Sequence, residues 1–158
     1  MSKIDITSDE NYLDDRFQLF FKYTVPSVIS QTWKDFLWYV FFSDRTPDKY
    51  KNITMELREK HQNIFAVYLS ENESCTEFLL EEFKNLEKQL ILTSRIDNDD
   101  AFAKDYMKAV HERAKTYQNK NNVVLVIENG LQYDEKYKIL SNYHFPLNHF
   151  TTMMSGEV

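Results

Sequence analysis

A chain of 158 residues is long enough for one continuous core, and its 42% hydrophobic content, with twelve Phe and ten Tyr, excludes a disordered polypeptide. Two glycines leave no material for a glycine-rich phosphate loop, which excludes Walker-type NTPases and the usual dinucleotide fingerprint. A net charge of -6 without any basic stripe excludes nucleic acid as a partner. The lone Cys75 permits no intramolecular disulfide. No segment resembles a signal peptide or a membrane span, so the expectation is one domain over residues 1–158, without a transmembrane segment, in the cytoplasm.

Met1 to Glu10 is polar and aperiodic, a loose lead-in. From Arg16 to Gln31 the apolar-face positions Phe17, Phe20, Phe21, Tyr23, Thr24, Val28 and Ile29 suit a helix, with Asp14 or Asp15 as cap. Pro26 within it either kinks the helix or starts a second segment. The apolar run Phe36 to Phe42 predicts a strand covered on both faces. Thr46 as N-cap and Pro47 at the first helical position predict a helix carrying Tyr50, Ile53 and Leu57 on one stripe.

Ile64 to Leu69 is the next predicted strand. Ser74 and Glu77 have capping-box spacing and open a helix ending near Gln89, with Leu90 to Thr93 as the third strand. A helix beginning at Ala101 carries Phe102, Tyr106, Val110, Ala114 and Tyr117 on one face. Val123 to Ile127 is a fourth strand, and Leu131–Tyr133 with Tyr137–Leu140 form short antiparallel pieces around the turn dipeptide Asn129-Gly130. Strands alternating with amphipathic helices predict an α/β fold with a mostly parallel sheet flanked by helices.

Between the third strand and the next helix lies Arg95-Ile96-Asp97-Asn98-Asp99-Asp100. In parallel sheets ligands bind beyond the carboxyl ends of strands, where this cluster falls. Hard divalent cations take oxygen ligands and often use one or two carboxylates together with substrate phosphates. Carboxylates at Asp97 and Asp99 could divide between a ribose hydroxyl and Mg²⁺ or Mn²⁺, while Arg95 contacts phosphate or orients Asp97. The competing explanations are helix capping, since Asp and Asn are favoured before a helix and acidic residues in its first turn, and incidental surface charge.

Other residues carry weaker signals. Asp44 follows a strand and could reach the same crevice, or serve as a turn aspartate. His144 and His149 sit in an aromatic tail with Tyr143, Phe145 and Phe150, as a substrate wall or as ordinary core and surface histidines. His61 and His111 lack zinc-ligand spacing, and Cys75 has no nearby base, so it reads as an inert thiol.

The strings Asn11-Tyr12-Leu13, Arg16-Phe17-Gln18-Leu19-Phe20, Thr24-Val25-Pro26-Ser27-Val28, Gln31-Thr32-Trp33, Phe36-Leu37-Trp38 and Arg95 through Ala101 together resemble the rhamnosyl transferases, within the GT-A glycosyltransferases and close to family 2. Residues 11 to about 155 carry the resemblance. It implies a GT-A-like fold, a nucleotide sugar as donor and a carbohydrate or other hydroxyl as acceptor. It further implies Asp99 as direct ligand of Mn or Mg, Asp97 beside the nucleoside, Asp100 as an accessory carboxylate of the nucleotide-sugar site and Asp44 on its nucleotide side. Asn142 through Thr152 corresponds to the family's later segment, on the acceptor side.

Two departures from that pattern set further expectations. The chain lacks the family's first strand, and Ile4-Asp5-Ile6 is too short to replace it, so an N-terminally incomplete domain with a gap in its sheet is expected. An inverting transfer also needs a base, for which Asp134, Glu135, His144 and His149 are the candidates and none has a distinctive context. Two other functions therefore compete: an inactive remnant that assembles with a partner or another copy through its open strand edge, and an unrelated Mg²⁺-dependent phosphoryl-transfer domain.

Overall fold

The computed structural model describes residues 10–84, 86, 90–117, 120, 122–146, 148 and 150–155. Its elements are α1 (Glu10–Leu19), a π-helical turn (Phe20–Thr24), α2 (Val25–Ile29), β1 (Trp38–Ser43), α3 (Asp48–Lys60), β2 (Ile64–Leu69), α4 (Cys75–Lys84), β3 (Ile91–Ser94), α5 (Tyr106–Lys115), β4 (Val123–Val126), β5 (Asn129–Asp134), β6 (Ile139–His144) and β7 (Thr151–Ser155). The chain divides into two compact units, Met1–Glu87 with Ile96–Ala109, and Lys88–Arg95 with Val110–Val158.

In the first unit β1 and β2 pair in parallel, Trp38 opposite Ile64 through Ser43 opposite Leu69. The aromatic run at β1 is covered on both faces, as its composition predicts. Phe42 stacks near Phe17 and Tyr68 and meets Phe20 edge-on, while Tyr39 and Phe41 meet Phe78 of α4 from the other side. Leu13, Phe17, Phe42 and Tyr50 form one buried cluster and Phe20, Val25, Leu57 and Ile64 another. Phe21 and Val40 touch both.

Helix α1 begins at Glu10, well before the expected Arg16, because Leu13 already belongs to the buried stripe. Asp14 is therefore a mid-helix residue and not a cap; its carboxylate accepts from the Tyr50 hydroxyl at 2.6 Å and from Lys49 at 3.1 Å. Pro26 starts a second segment. Its ring cannot sit over an ordinary α-helical carbonyl, and the preceding turn widens so that the Val25 N–H donates to the Phe20 carbonyl, five residues back. Pro47, expected inside α3, is its extended cap residue, and Thr46 is buried before it. Helix α4 ends at Lys84, and Gln89 lies outside the described residues, as do Ile4, Asp5 and Ile6.

In the second unit the expectation of a mostly parallel sheet is corrected. β7 runs antiparallel between β3 and β4, with Leu92 and Val123 both opposite Met154. The fold is α/β with mixed parallel and antiparallel sheets. β7 escaped prediction because Thr-Thr-Met-Met-Ser is short and its two methionines carry no strand preference. Its alternation is nevertheless clear in place: Thr152 and Met154 are fully buried and Met153 is exposed.

β5 and β6 form an antiparallel hairpin longer than expected, with Tyr133 opposite Leu140. Asn129-Gly130 is not its turn; both residues lie in β5 opposite His144 and Tyr143. The reversal is made at Glu135 to Lys138, where the Asp134 carboxylate accepts from the Tyr137 N–H at 2.9 Å and Lys138 takes φ 55°. Among the described residues β1 has β2 as its strand neighbour, and β3 has β7.

Candidate functional site

The acidic residues form a tight turn: the Asp100 N–H donates to the Asp97 carbonyl at 3.2 Å. Helix α5 does not start at Ala101 but at Tyr106, so Asp97, Asp99 and Asp100 are neither its caps nor its first turn. Capping, one competing explanation for the cluster, is thereby removed.

Residues Asp100 to Met107 are held instead by the segment running from the π-turn through α2 to Thr32. The fully buried Thr24 donates its hydroxyl to the Asp100 carbonyl at 2.8 Å. The Ser27 hydroxyl accepts from the Phe102 N–H at 3.2 Å and donates to the Thr24 carbonyl at 2.7 Å. Gln31, also fully buried, donates to the Ser27 and Ala103 carbonyls at 2.9 and 2.8 Å and accepts from the Met107 N–H at 2.9 Å. Thr32 donates to the Asp105 carboxylate at 2.7 Å, and its N–H to the Lys104 carbonyl at 3.1 Å.

This strap explains where α5 begins. The amide of Met107 is capped by Gln31, which lies just past the end of α2, and the carbonyl of Ala103 accepts both from the same side chain and from the Tyr106 N–H. Buried amides that are satisfied from outside the segment need no preceding helical turn. Phe102 and Tyr106 stack at 3.9 Å, closing the apolar side of the strap.

From α1, Arg16 reaches the tip of the turn. Its guanidinium pairs with the Asp99 carboxylate at 3.0 Å and donates a second hydrogen bond to the Asn98 side-chain carbonyl. The Arg16 side chain is 23% exposed and that of Asp99 44%, so the carboxylate faces solvent at the same time. Two residues before Arg16 on α1, Asp14 joins Tyr50 and Lys49. There the hydrogen bond from Tyr50, and then that from Lys49, hold the Asp14 carboxyl below its ordinary value. Burial, reinforced by the bond to Asp14, raises the Tyr50 phenol, and bonds to Tyr50 and Asp14 keep Lys49 protonated well above the usual lysine range.

The other expected site residues are less well gathered. Asp97 and Asp100 are partly buried in the turn, and Arg95 is exposed after β3. Asp44 ends β1 with local bonds: its N–H donates to Leu69, its carbonyl accepts from Lys51 at 2.9 Å and its carboxylate accepts from Ser43 at 3.3 Å. None of these reaches the acidic turn. Among the described residues no three His, Cys, Asp or Glu side chains gather to hold a metal ion. The candidate bases Asp134, Glu135 and His144 lie on the hairpin, where Asp134 caps the reversal and His144 bonds Asn129 at 3.0 Å. His149 is outside the described residues. Cys75 is a buried free thiol, in keeping with an inert role.

Sequence reasoning gave no individual site role to Arg16, Thr24, Ser27, Gln31, Thr32 or Asp105, although all but Asp105 lie in the strings that carry the family resemblance. A signal for three of them was present: Thr24, Ser27 and Gln31 recur at helical spacing as a polar stripe in an otherwise apolar helix. No helix among the described residues is long and apolar enough to cross a membrane. A family model described as "Putative rhamnosyl transferase" matches residues 2–155. No curated protein and no solved structure matches the chain.

Proposed function

We propose, on the premise that the chain belongs to the rhamnosyl transferase family matched over residues 2–155, that it is a GT-A-like domain binding a nucleotide sugar at the Asp97–Asp100 turn and, with Mn²⁺ or Mg²⁺, transferring the sugar to a hydroxyl acceptor. The observation that carries this reading is the strap. Thr24, Ser27 and Gln31 fix an acidic turn that exposes Asp99 and does no capping work for α5. A rigidly held cluster of that kind is suited to ligand binding.

In this reading Asp97 is directed to the nucleoside and Asp99 to the metal, with Asp100 as accessory carboxylate, Arg95 toward phosphate and Asp44 on the nucleotide side. Too few carboxylates gather for an all-protein metal cage, but one or two carboxylates completed by diphosphate oxygens is the mode Mg²⁺ and Mn²⁺ commonly use. The cation, when bound, supplies charge neutralisation for the departing diphosphate. Arg16 neutralises Asp99 in its absence and would be free, once Asp99 turned away, to donate in bidentate fashion to a diphosphate oxygen pair.

Calorimetric titration of uridine and deoxythymidine diphosphate sugars, with and without Mn²⁺, tests the reading. Binding that requires Mn²⁺ and weakens at least about tenfold in Asp99→Ala, a loss of roughly 1.4 kcal/mol, is the expected outcome. Metal-independent binding, or none, with Asp99→Ala indistinguishable from the parent, would sink it.

A further inference from the structure

A positive charge already stands at the acidic turn, and it comes from α1. One nitrogen of the Arg16 guanidinium donates to the Asp99 carboxylate at 3.0 Å and the other donates to the Asn98 side-chain carbonyl. Arg45–Glu71, Lys60–Glu56 and Lys84–Glu81 join side chains that are mostly exposed, and ion pairs of that kind contribute little. Arg16 differs from them in being held at both ends. On α1 its neighbours Leu13 and Phe17 are buried, which fixes the helix beneath the side chain. At the other end Thr24 and Ser27 fix the backbone just beyond Asp99, through the Asp100 carbonyl and the Phe102 N–H. A contact between groups that are already placed costs little freedom to form.

Neither partner is saturated by the pairing. Two of the five guanidinium N–H groups are engaged, and Asp99 remains open to solvent. A divalent cation at Asp99 would therefore lie beside a fixed positive charge, and like charges at such close range repel even through water. A diphosphate removes the conflict, because its oxygens can ligate the cation and accept from the guanidinium together. With a net charge of -6 the chain attracts cations without discrimination, and this arrangement discriminates among them by what they carry.

We propose that Arg16 is an internal counter-cation that keeps a free divalent cation off Asp99 and yields that carboxylate when a diphosphate accompanies the cation. The inference rests on the nucleotide-sugar reading of the Asp97–Asp100 turn and gives that site an order of loading. Removing the charge of Arg16 should strengthen binding of the bare cation and, by linkage, weaken the coupling between cation and diphosphate.

The test is Mn²⁺ binding to the full chain, followed by the loss of the free-ion electron paramagnetic resonance signal. It is measured alone and with uridine diphosphate as the probe, after correction for the complex the two form without protein. Arg16→Gln should bind Mn²⁺ alone about tenfold more tightly than the parent, and its gain on adding uridine diphosphate should shrink. Arg16→Lys, which keeps the charge, should behave as the parent. Equal Mn²⁺ affinity in the parent and Arg16→Gln, or an equal rise in Arg16→Lys, would overturn the proposal and leave the nucleotide-sugar reading standing. No Mn²⁺ bound by parent or variants, with or without uridine diphosphate, would remove that reading and the proposal with it. If Arg16→Gln does not fold, the Arg16 Nε–Hε nuclear magnetic resonance signal of the unmodified chain decides. Mg²⁺ with uridine diphosphate should shift it and Mg²⁺ alone should not; any other pattern would overturn the proposal.

Discussion

Around residues 97–107, polar side chains are taken inside and every one of their bonds is answered, whereas along β5 and β6 apolar side chains are left facing solvent. Thr24, Gln31 and Thr152 are fully buried, and no buried side-chain nitrogen or oxygen among the described residues lacks a partner. The two regions follow from one rule: folding tolerates a buried polar group that is satisfied, and leaves outside an apolar group for which the chain has no remaining cover. A buried polar network specifies one local arrangement, because any alternative strands donors and acceptors. Exposed apolar strands specify little within the chain, and their information is directed outward.

The sharpest break of this contrast is a paired truncation. Phe42→Ala removes a side chain packed against Phe17, Phe20 and Tyr68 and is expected to destabilise by about 3–5 kcal/mol. Leu131→Ser, on the hairpin, should change monomer stability by no more than about 0.5 kcal/mol. Equilibrium urea unfolding measures both. Equal losses at the two sites would show that the hairpin is part of the cooperative core.

Next in size is the strap. Gln31→Ala leaves the Met107 amide and the Ala103 and Ser27 carbonyls without their side-chain partner, at a cost of about 2–4 kcal/mol. For a chain of this length that lowers the thermal midpoint by roughly 5–15 °C. Nucleotide-sugar affinity should fall as well, measured below the new midpoint. Lost stability with unaltered affinity would separate the strap from the site.

The smallest expected effect concerns Asp14. Its carboxyl is held below the ordinary aspartate value by Tyr50 and Lys49, so its contribution is present above that ordinary value and is lost as pH falls through the lower, folded one. Thermal midpoints measured from pH 5 down to pH 2 should therefore fall more for the parent than for Asp14→Asn, which has no such proton to bind. Parallel curves would mean that the contacts of Asp14 with Tyr50 and Lys49 do not couple to folding.

Much of the fold was legible in advance, and the errors have a common source. β1 and β2 were foreseen to within two residues, because a run of aromatic and β-branched residues has few other uses in a chain of this size. The start of α5 was misplaced by five residues, because the amide of its second residue, Met107, is satisfied by Gln31, 76 positions away. The hairpin was foreseen but its reversal was not: Asn-Gly is a strong turn signal, yet here the register is set by Asp134 and Lys138. At the site, the acidic cluster drew attention by its density and its place after a strand, whereas Arg16, which pairs with Asp99, lies 83 residues earlier in a string that marks the family but gives no sign of that pairing.

What the sequence determined by itself is therefore whatever depends on neighbours along the chain: the amphipathic helices, the apolar strands, the acidic turn after β3 and the resemblance later matched over residues 2–155. Only the tertiary structure decided what depends on partners far apart. It placed β7 between β3 and β4, removed Asp97–Asp100 from the cap of α5, and brought Thr24, Ser27, Gln31 and Arg16 to hold that turn. The physical reason is that hydrogen-bond satisfaction and burial are conditions on the assembled chain, and no local pattern fixes which distant group will meet them.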